Sequence, residues 1–182
     1  MYVWKSEAEY DLGPCAVALG TFDGVHIGHQ ALIRRAMELA RELDAVSVVY
    51  TFDRHPLSVL CPERAPRELL TLEGKLERFE AMGVDGVLVK AFTAEFAAME
   101  PVRYLEMLAG EMRARAVVAG FNYTFGAMGR GDAALIRSEA ARLGYRAEIV
   151  AAVTDGGDTV SSTLIRGLQD RGEIARAARL MR

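Results

Sequence analysis

The chain contains little cysteine, proline or histidine, and these scarcities exclude several classes of protein. Of its 182 residues, two are cysteine, five are proline and three are histidine. Cys15 and Cys61 lack a metal-ligand spacing and form no disulfide framework, so we expect reduced thiols and a cytoplasmic protein. No apolar run approaches the roughly 18 residues of a membrane span, and the N-terminal segment has no apolar signal core, so no membrane partner is expected.

Positive charge is not in excess either. The chain has 22 lysines and arginines against 25 aspartates and glutamates, for a formal net charge of −3. This balance argues against a nucleic-acid partner. A hydrophobic content of 51% with 26% charged residues is typical of a globular domain. The length suits one domain with a sizeable core. Composition leaves a homo-oligomer open.

Short apolar runs alternate with segments of helical period, which indicates βαβ units and a mainly parallel sheet. The predicted strands are 15–19, 45–52, 86–90, 116–119 and 146–153, with a further strand at 2–5. The predicted helices are 28–42, 72–82, 101–112, 133–143, 162–170 and 173–180. Ligands in open α/β sheets sit outside the carboxyl ends of the strands. We therefore look for chemistry in the loops after strands 15–19, 45–52, 116–119 and 146–153.

The first of these loops contains the most informative motif, Gly-Thr-Phe-Asp-Gly-Val-His-Ile-Gly-His-Gln from residue 20 to 30. His26 and His29 are three residues apart, where the apolar strand turns into an amphipathic helix. The unpaired N–H groups and positive dipole end of that helix favour a phosphate. Gly28 has no Cβ, so a polyphosphate could approach the backbone closely. The alternative is two ordinary surface histidines.

Two further loops point to a ligand with a flat ring. Residues 52–56 read Phe-Asp-Arg-His-Pro and begin a loop that contains three prolines, at positions 56, 62 and 66. These prolines stiffen the loop, which lowers the entropic cost of binding a ligand. His55 precedes Pro56, which favours an extended backbone and an outward side chain. Residues 120–132 combine four glycines, three aromatic residues and Arg130, a set suited to covering an aromatic ring and binding an anion. The alternatives are an ordinary turn and a small packing cluster.

A second phosphate-binding element is predicted near the C-terminus. Ser161, Ser162 and Thr163 place hydroxyl groups at a helix start, and Arg166 follows Ser162 by one turn on the same face. Backbone N–H, hydroxyl and guanidinium donors could together bind one polyanion. If this segment is considered without the histidine motif, the alternative is that its hydroxyl groups only cap the helix. Both elements should point to the same edge of the sheet.

Together, four motifs resemble the adenylyltransferase module of prokaryotic bifunctional riboflavin kinase/FAD synthetases. In order, they are G-T-F-D-G-V-H-I-G-H-Q, F-D-R-H-P, G-F-N-Y-T-F-G with R-G-D after it, and V-S-S-T-L-I-R followed by G-E-I-A-R-A-A-R-L. The resemblance covers nearly the whole chain. It implies a Rossmann-like three-layer α/β/α nucleotidylyltransferase fold with a mainly parallel sheet. It also implies transfer of AMP from ATP to FMN, giving FAD and pyrophosphate, with Mg²⁺.

The resemblance also implies roles for individual residues. The implied catalytic residues are His26, His29, Asn122, Ser162, Thr163 and Arg166. The implied ATP-binding residues are Gly20, Phe22, Asp23, His26, Gly28, His29, Asn122, Arg130, Ser162, Thr163 and Arg166. The implied flavin-binding residues are Asp23, Phe52, Asp53, Arg54, His55, Pro56, Tyr123 and Phe125. Asn122 would also contact Mg²⁺ held by the nucleotide phosphates.

Two departures from the family pattern affect these expectations. Arg54 stands where the family usually has proline, which puts the flavin acceptor in more doubt than the use of ATP. The family also usually continues into a C-terminal riboflavin kinase domain, whereas this sequence stops about where that domain would begin. We therefore expect one adenylyltransferase domain over residues 1–182 and no riboflavin kinase domain. The alternatives are a nucleotidylyltransferase with another phosphorylated acceptor, a non-catalytic flavin-nucleotide-binding module and a non-catalytic interaction domain.

Overall fold

The computed structural model describes residues 1–182 and has a six-stranded sheet at its centre. The strands are β1 (Tyr2–Trp4), β2 (Cys15–Leu19), β3 (Val46–Phe52), β4 (Gly86–Lys90), β5 (Ala114–Gly120) and β6 (Arg146–Val150). Their order across the sheet is β1-β4-β3-β2-β5-β6. Every neighbouring pair is parallel. A small antiparallel hairpin of β7 (Thr154–Asp155) and β8 (Asp158–Thr159) forms a separate sheet.

Eight helices connect or follow these strands. They are α1 (Ile27–Glu42), α2 (Leu57–Leu60), α3 (Leu72–Met82), α4 (Ala94–Ala97), α5 (Pro101–Gly110), α6 (Ala133–Leu143), α7 (Ser162–Asp170) and α8 (Ile174–Leu180). Short 3₁₀ turns lie at Glu7–Glu9, Pro62–Arg64 and Ala127–Gly129. None of the helices combines the length and the apolar character needed to cross a membrane.

Strand β2 shows how the sheet separates two helical layers. Its side chains alternate between the faces of the sheet, as the pleat requires. Ala16 and Ala18 pack against buried residues of α1 and α3. Val17 and Leu19 pack against buried residues of α5 and α6. All five residues of β2 are buried. The expected three-layer α/β/α arrangement around a parallel sheet is therefore confirmed.

The predicted elements differ from the observed ones mainly at their ends. Strand β6 ends at Val150 rather than at residue 153, because the register with β5 ends with the pair Gly120 and Val150. Helix α5 ends at Gly110 rather than at residue 112, and Arg113 takes a left-handed φ of 50° that ends helical geometry there. Shifts of one or two residues affect β1, β3, β5, α1 and α8.

The order of the strands creates a crevice at one edge of the sheet. The chain leaves β2 toward β3 on one side, whereas β5 flanks β2 on the other. Such a reversal opens a space between the carboxyl ends of the two strands. Helix α7 reaches this edge because Ile165 and Leu168 belong to a small C-terminal cluster that packs against Ile27 and Leu69.

Candidate active site

A cavity of about 850 Å³ lies at the carboxyl edge of the sheet. Residues from the loops after β2, β3, β4 and β5 line it, together with the start of α7. Arg166 and three histidines are its basic side chains, and no carboxylate lines the wall. Since no fixed negative charge would repel an anion, the wall suits a phosphorylated ligand.

His26 and His29 form a stacked pair at the beginning of α1. The two rings lie 3.6 Å apart between centroids, with an angle of 16° between their planes. His26 caps the helix, because its Nδ1 accepts a hydrogen bond of 3.2 Å from the backbone N–H of His29. A neutral imidazole that accepts at Nδ1 carries its proton at Nε2. His26 therefore offers an N–H donor on a cavity wall.

Burial keeps both histidines neutral near pH 7. It lowers the pKa of His26 to about 4, against a smaller opposing effect of the nearby Asp23 carboxylate. Burial also holds the pKa of His29 well below its usual value, and the charges of His26 and Lys75 push it the same way. The buried Nδ1 of His29 has no hydrogen-bond partner. An unsatisfied buried nitrogen is costly, so this atom suits a ligand contact.

Gly28 has a different neighbour from the one expected. We predicted that its missing Cβ leaves space for a polyphosphate. In the structure, a Cβ at Gly28 would lie 3.2 Å from atoms of the His26 ring and 3.6 Å from the carbonyl oxygen of Val160. The glycine thus makes room for the ring that caps the helix, while Gly28 itself still lines the cavity.

The start of α7 brings the second predicted element to the same cavity. Ser161 is the helix cap, with its side chain accepting from the Leu164 N–H at 3.1 Å. Ser162, Thr163 and Arg166 line the wall. The Arg166 guanidinium also bonds to the protein, since its Nη1 donates to Asp23 Oδ2 at 2.6 Å. The two elements that are far apart in the sequence therefore share one cavity.

Aromatic residues line the other part of the cavity. Phe52, Tyr123 and Phe125 were expected there, and all three lie on the wall. The sequence interpretation missed the loop after β4, where Phe92 and Phe96 add two more rings. Tyr104 of α5 was also missed. The four-residue spacing of Phe92 and Phe96 after an apolar strand was the available signal.

His55 lies on the cavity wall beside Pro56. The ring is half-buried, and its Nδ1 accepts a hydrogen bond of 3.1 Å from the backbone N–H of Leu57, two residues later in the chain. Burial lowers the pKa of His55, with smaller effects from the charges of Asp23, Arg166 and Lys75. This imidazole therefore lies within electrostatic reach of Arg166 in the second predicted phosphate-binding element.

Five residues of the expected site do not line the cavity. Phe22 has no exposed surface, and Asp23 is only 3% exposed. Arg54 pairs with its neighbour Asp53 at 2.9 Å, and Arg130 pairs with Glu100 at 2.7 Å. Packing in the core or pairing elsewhere thus occupies these side chains. In contrast, Gly20 and Asn122 do line the cavity.

The residues present can hold a magnesium ion only with help from a ligand. No group of three or more histidine, cysteine, aspartate or glutamate side chains is placed to bind a metal. Asn122 is exposed on the wall, and its amide makes no hydrogen bond to the protein. Because Mg²⁺ prefers oxygen ligands and commonly binds substrate phosphates, Asn122 fits as a single protein ligand to an ion that phosphates largely coordinate.

Comparisons with known proteins agree with this geometry. The sequence model of one family, described as FAD synthetase, matches residues 8–164. The chain is 37% identical to a bifunctional riboflavin kinase/FMN adenylyltransferase of Listeria monocytogenes, over 91% of this chain and 52% of that protein. It is also 37% identical to a putative protein of the same description from Geobacillus thermodenitrificans, over 95% of this chain and 92% of that protein.

A solved structure shows the same fold. A protein of Streptococcus pneumoniae described as a macrolide-efflux protein superposes with a TM-score of 0.84 and 27% sequence identity. The superposition covers 98% of this chain and 59% of that one. This chain therefore spans about half the length of the Listeria protein and little more of the solved one.

Proposed function

The chain belongs to the FAD synthetase family, and from this membership we propose that it is an FMN adenylyltransferase. It transfers AMP from ATP to FMN, and the products are FAD and pyrophosphate. One observation supports this proposal above the others. A single cavity without carboxylates joins a wall of histidine and arginine donors to a wall of aromatic rings, as a polyphosphate and a flavin together require.

The ATP phosphates bind between the His26–His29 pair and the start of α7. Both imidazoles are neutral before ATP binds, so each contributes one N–H donor rather than a full charge. Arg166 contributes the positive charge of the wall. The phosphates in turn raise the pKa of the histidines, because a nearby negative charge favours the protonated ring.

FMN binds with its ring system against the aromatic residues, and its phosphate lies toward the histidines. An oxygen of the FMN phosphate attacks the α-phosphorus of ATP in line. The new P–O bond forms as the bond to the bridging oxygen breaks, and pyrophosphate leaves with that electron pair. No enzyme nucleophile is needed, so positioning and charge stabilisation provide the catalysis. Correct orientation alone can supply about 7–11 kcal/mol.

Asn122 is the residue that would hold Mg²⁺ together with the nucleotide phosphates. The ion would offset phosphate charge while the two anions meet. The histidines, Arg166 and the Thr163 hydroxyl orient the phosphates. The Ser162 hydroxyl already donates its proton to the Asp23 carbonyl, so this residue offers the phosphates only its backbone N–H. We further propose that residues 1–182 act as one adenylyltransferase unit and do not phosphorylate riboflavin.

The test is incubation of the purified chain with ATP, MgCl₂ and FMN, followed by chromatography for FAD. We expect FAD and pyrophosphate in equal amounts, and no FMN when riboflavin replaces FMN. FMN binding without FAD formation would instead favour a non-catalytic flavin-nucleotide-binding module. Pyrophosphate release with other phosphorylated acceptors, but not with FMN, would favour a different nucleotidylyltransferase.

A further inference from the structure

Asp23 joins three separate segments of the chain at the edge of the cavity. Its Oδ1 accepts a hydrogen bond of 2.8 Å from the backbone N–H of Leu69, and its Oδ2 accepts one of 2.6 Å from Arg166 Nη1. Its backbone carbonyl accepts a third, of 2.8 Å, from Ser162 Oγ. Because the residue is only 3% exposed and both carboxylate oxygens accept hydrogen bonds, Asp23 is not placed to bind a nucleotide directly.

Arg166 divides its donors between the protein and the cavity. Its Nη1 donates to Asp23 and also to the backbone carbonyl of Arg67 at 3.2 Å. A guanidinium group has five N–H donors in a rigid plane, and Nη1 holds two of them. Nε and Nη2 make no hydrogen bond to the protein, although the side chain lines the cavity. Three N–H donors thus remain for a ligand.

The backbone around Asp23 indicates that packing imposes this arrangement. Phe22, one residue before Asp23, and Val25, two residues after it, have left-handed φ values of 48° and 40°, which are unfavourable for such side chains. Both side chains are fully buried in the core between the sheet and α1. A strained loop that the core holds on both sides places its carboxylate at a defined point.

We propose that Asp23 is a positioning residue that acts through Arg166. The carboxylate holds one end of the guanidinium against the wall, so that its free edge faces the ATP phosphates. This inference rests on the proposed function for the identity of the ligand. It replaces the direct ATP and flavin contacts that the sequence motif implied for Asp23.

The proposal has a specific energetic consequence. A long arginine side chain loses rotamer freedom when it binds a phosphate, and a side chain that is already held loses less. Replacing the carboxylate by an amide removes the charged anchor but keeps the size of the side chain. We expect Asp23→Asn to weaken ATP binding about tenfold, which corresponds to about 1.4 kcal/mol.

The first test is a double-mutant cycle read by calorimetry with a non-hydrolysable ATP analogue and MgCl₂. The cycle uses wild type, Asp23→Asn, Arg166→Met and the double variant. If Asp23 acts through Arg166, the double variant binds no more weakly than Arg166→Met. If the double variant loses affinity by the product of the two single losses, the two residues act independently and the proposal is overturned. An Asp23→Asn variant that binds as tightly as wild type would also overturn it.

The matched control is Asp155→Asn. Asp155 also pairs with an arginine of a C-terminal helix, Arg176, at 3.0 Å, but it does not line the cavity. We expect wild-type affinity for the analogue in this variant. A loss as large as that in Asp23→Asn would mean that any broken ion pair in this region weakens binding, and the specific role of Asp23 would be wrong.

Arg166→Lys tests the same idea if Asp23→Asn does not fold. An ammonium group can pair with Asp23 but has no rigid second edge for the phosphates. We expect it to bind the analogue about as weakly as Arg166→Met, and wild-type affinity would overturn the proposal. FAD formation is measured in parallel with wild type. A wild type that binds the analogue but makes no FAD contradicts the proposed function alone, whereas absence of binding contradicts both.

Discussion

Acidification from pH 7 to pH 5 is expected to destabilise the fold through His26. In the folded chain its Nδ1 accepts the hydrogen bond that caps α1, and its side chain is buried. A protonated imidazole has no acceptor nitrogen, so protonation removes the cap and places a charge in a buried position. Protonation of His26 is therefore unfavourable in the folded state, whereas the same histidine is protonated readily in the unfolded chain.

The size of this effect follows from the difference in pKa. A histidine in the unfolded chain has a pKa of about 6.5, and burial lowers the pKa of His26 in the folded chain to about 4. The stability from neutral His26 is thus fully present above pH 6.5 and is lost as the pH falls toward 4. At pH 5 the pH lies about 1.5 units below the pKa of the histidine in the unfolded chain, so the histidine is protonated there. In the folded chain, His26 remains mostly unprotonated at this pH. The loss is about 2 kcal/mol.

Urea unfolding of wild type and His26→Asn at pH 7 and pH 5 measures this loss. Asparagine can accept the cap hydrogen bond but does not titrate. We expect the free energy of unfolding to fall by about 2 kcal/mol less in His26→Asn than in wild type. His55→Asn is the matched control, and it should remove a smaller part of the pH dependence because its ring is only half-buried. Equal losses in wild type and His26→Asn would refute the reasoning.

Three further substitutions test the site and its loops. His29→Ala should lower the rate of FAD formation roughly 100-fold, as loss of one preorganised donor does, with the melting temperature as control. Gly126→Ala should lower the free energy of unfolding by more than the ~1 kcal/mol expected for Gly144→Ala. Both glycines have positive φ, but only at Gly126 would the Cβ lie 2.7 Å from the proline that begins α5. Arg54→Ala should change the KM for FMN by less than about threefold, since this exposed side chain lies off the cavity wall.

Local sequence patterns were enough to predict most of the helices and strands. In α1, Leu32, Ile33 and Leu39 repeat at helical spacing, and all three are buried against the sheet. Periodicity depends on near neighbours in the sequence, so it is visible before any tertiary contact is known. Helices α2 and α4 have only four residues each, too few to show a period, and they were missed.

The candidate site was predicted only in part. The two predicted phosphate-binding elements could be located in the sequence because each combines polar side chains with a helix start, where backbone N–H donors are unpaired. Phe92, Phe96 and Tyr104 were missed, since aromatic residues near apolar strands usually belong to the core. They reach the cavity because β4 ends at the same edge of the sheet as β2 and β3.

The sequence by itself determined the alternation of strands and helices and the motifs that supply part of the cavity wall. Only the tertiary structure decided which polar groups pair with each other and which are buried. Asp23 and Arg166 are 143 residues apart, and nothing local to either one predicts that they bond. Burial and pairing depend on how distant segments pack. The same carboxylate can therefore bind a ligand in one packing and hold a neighbouring guanidinium in another.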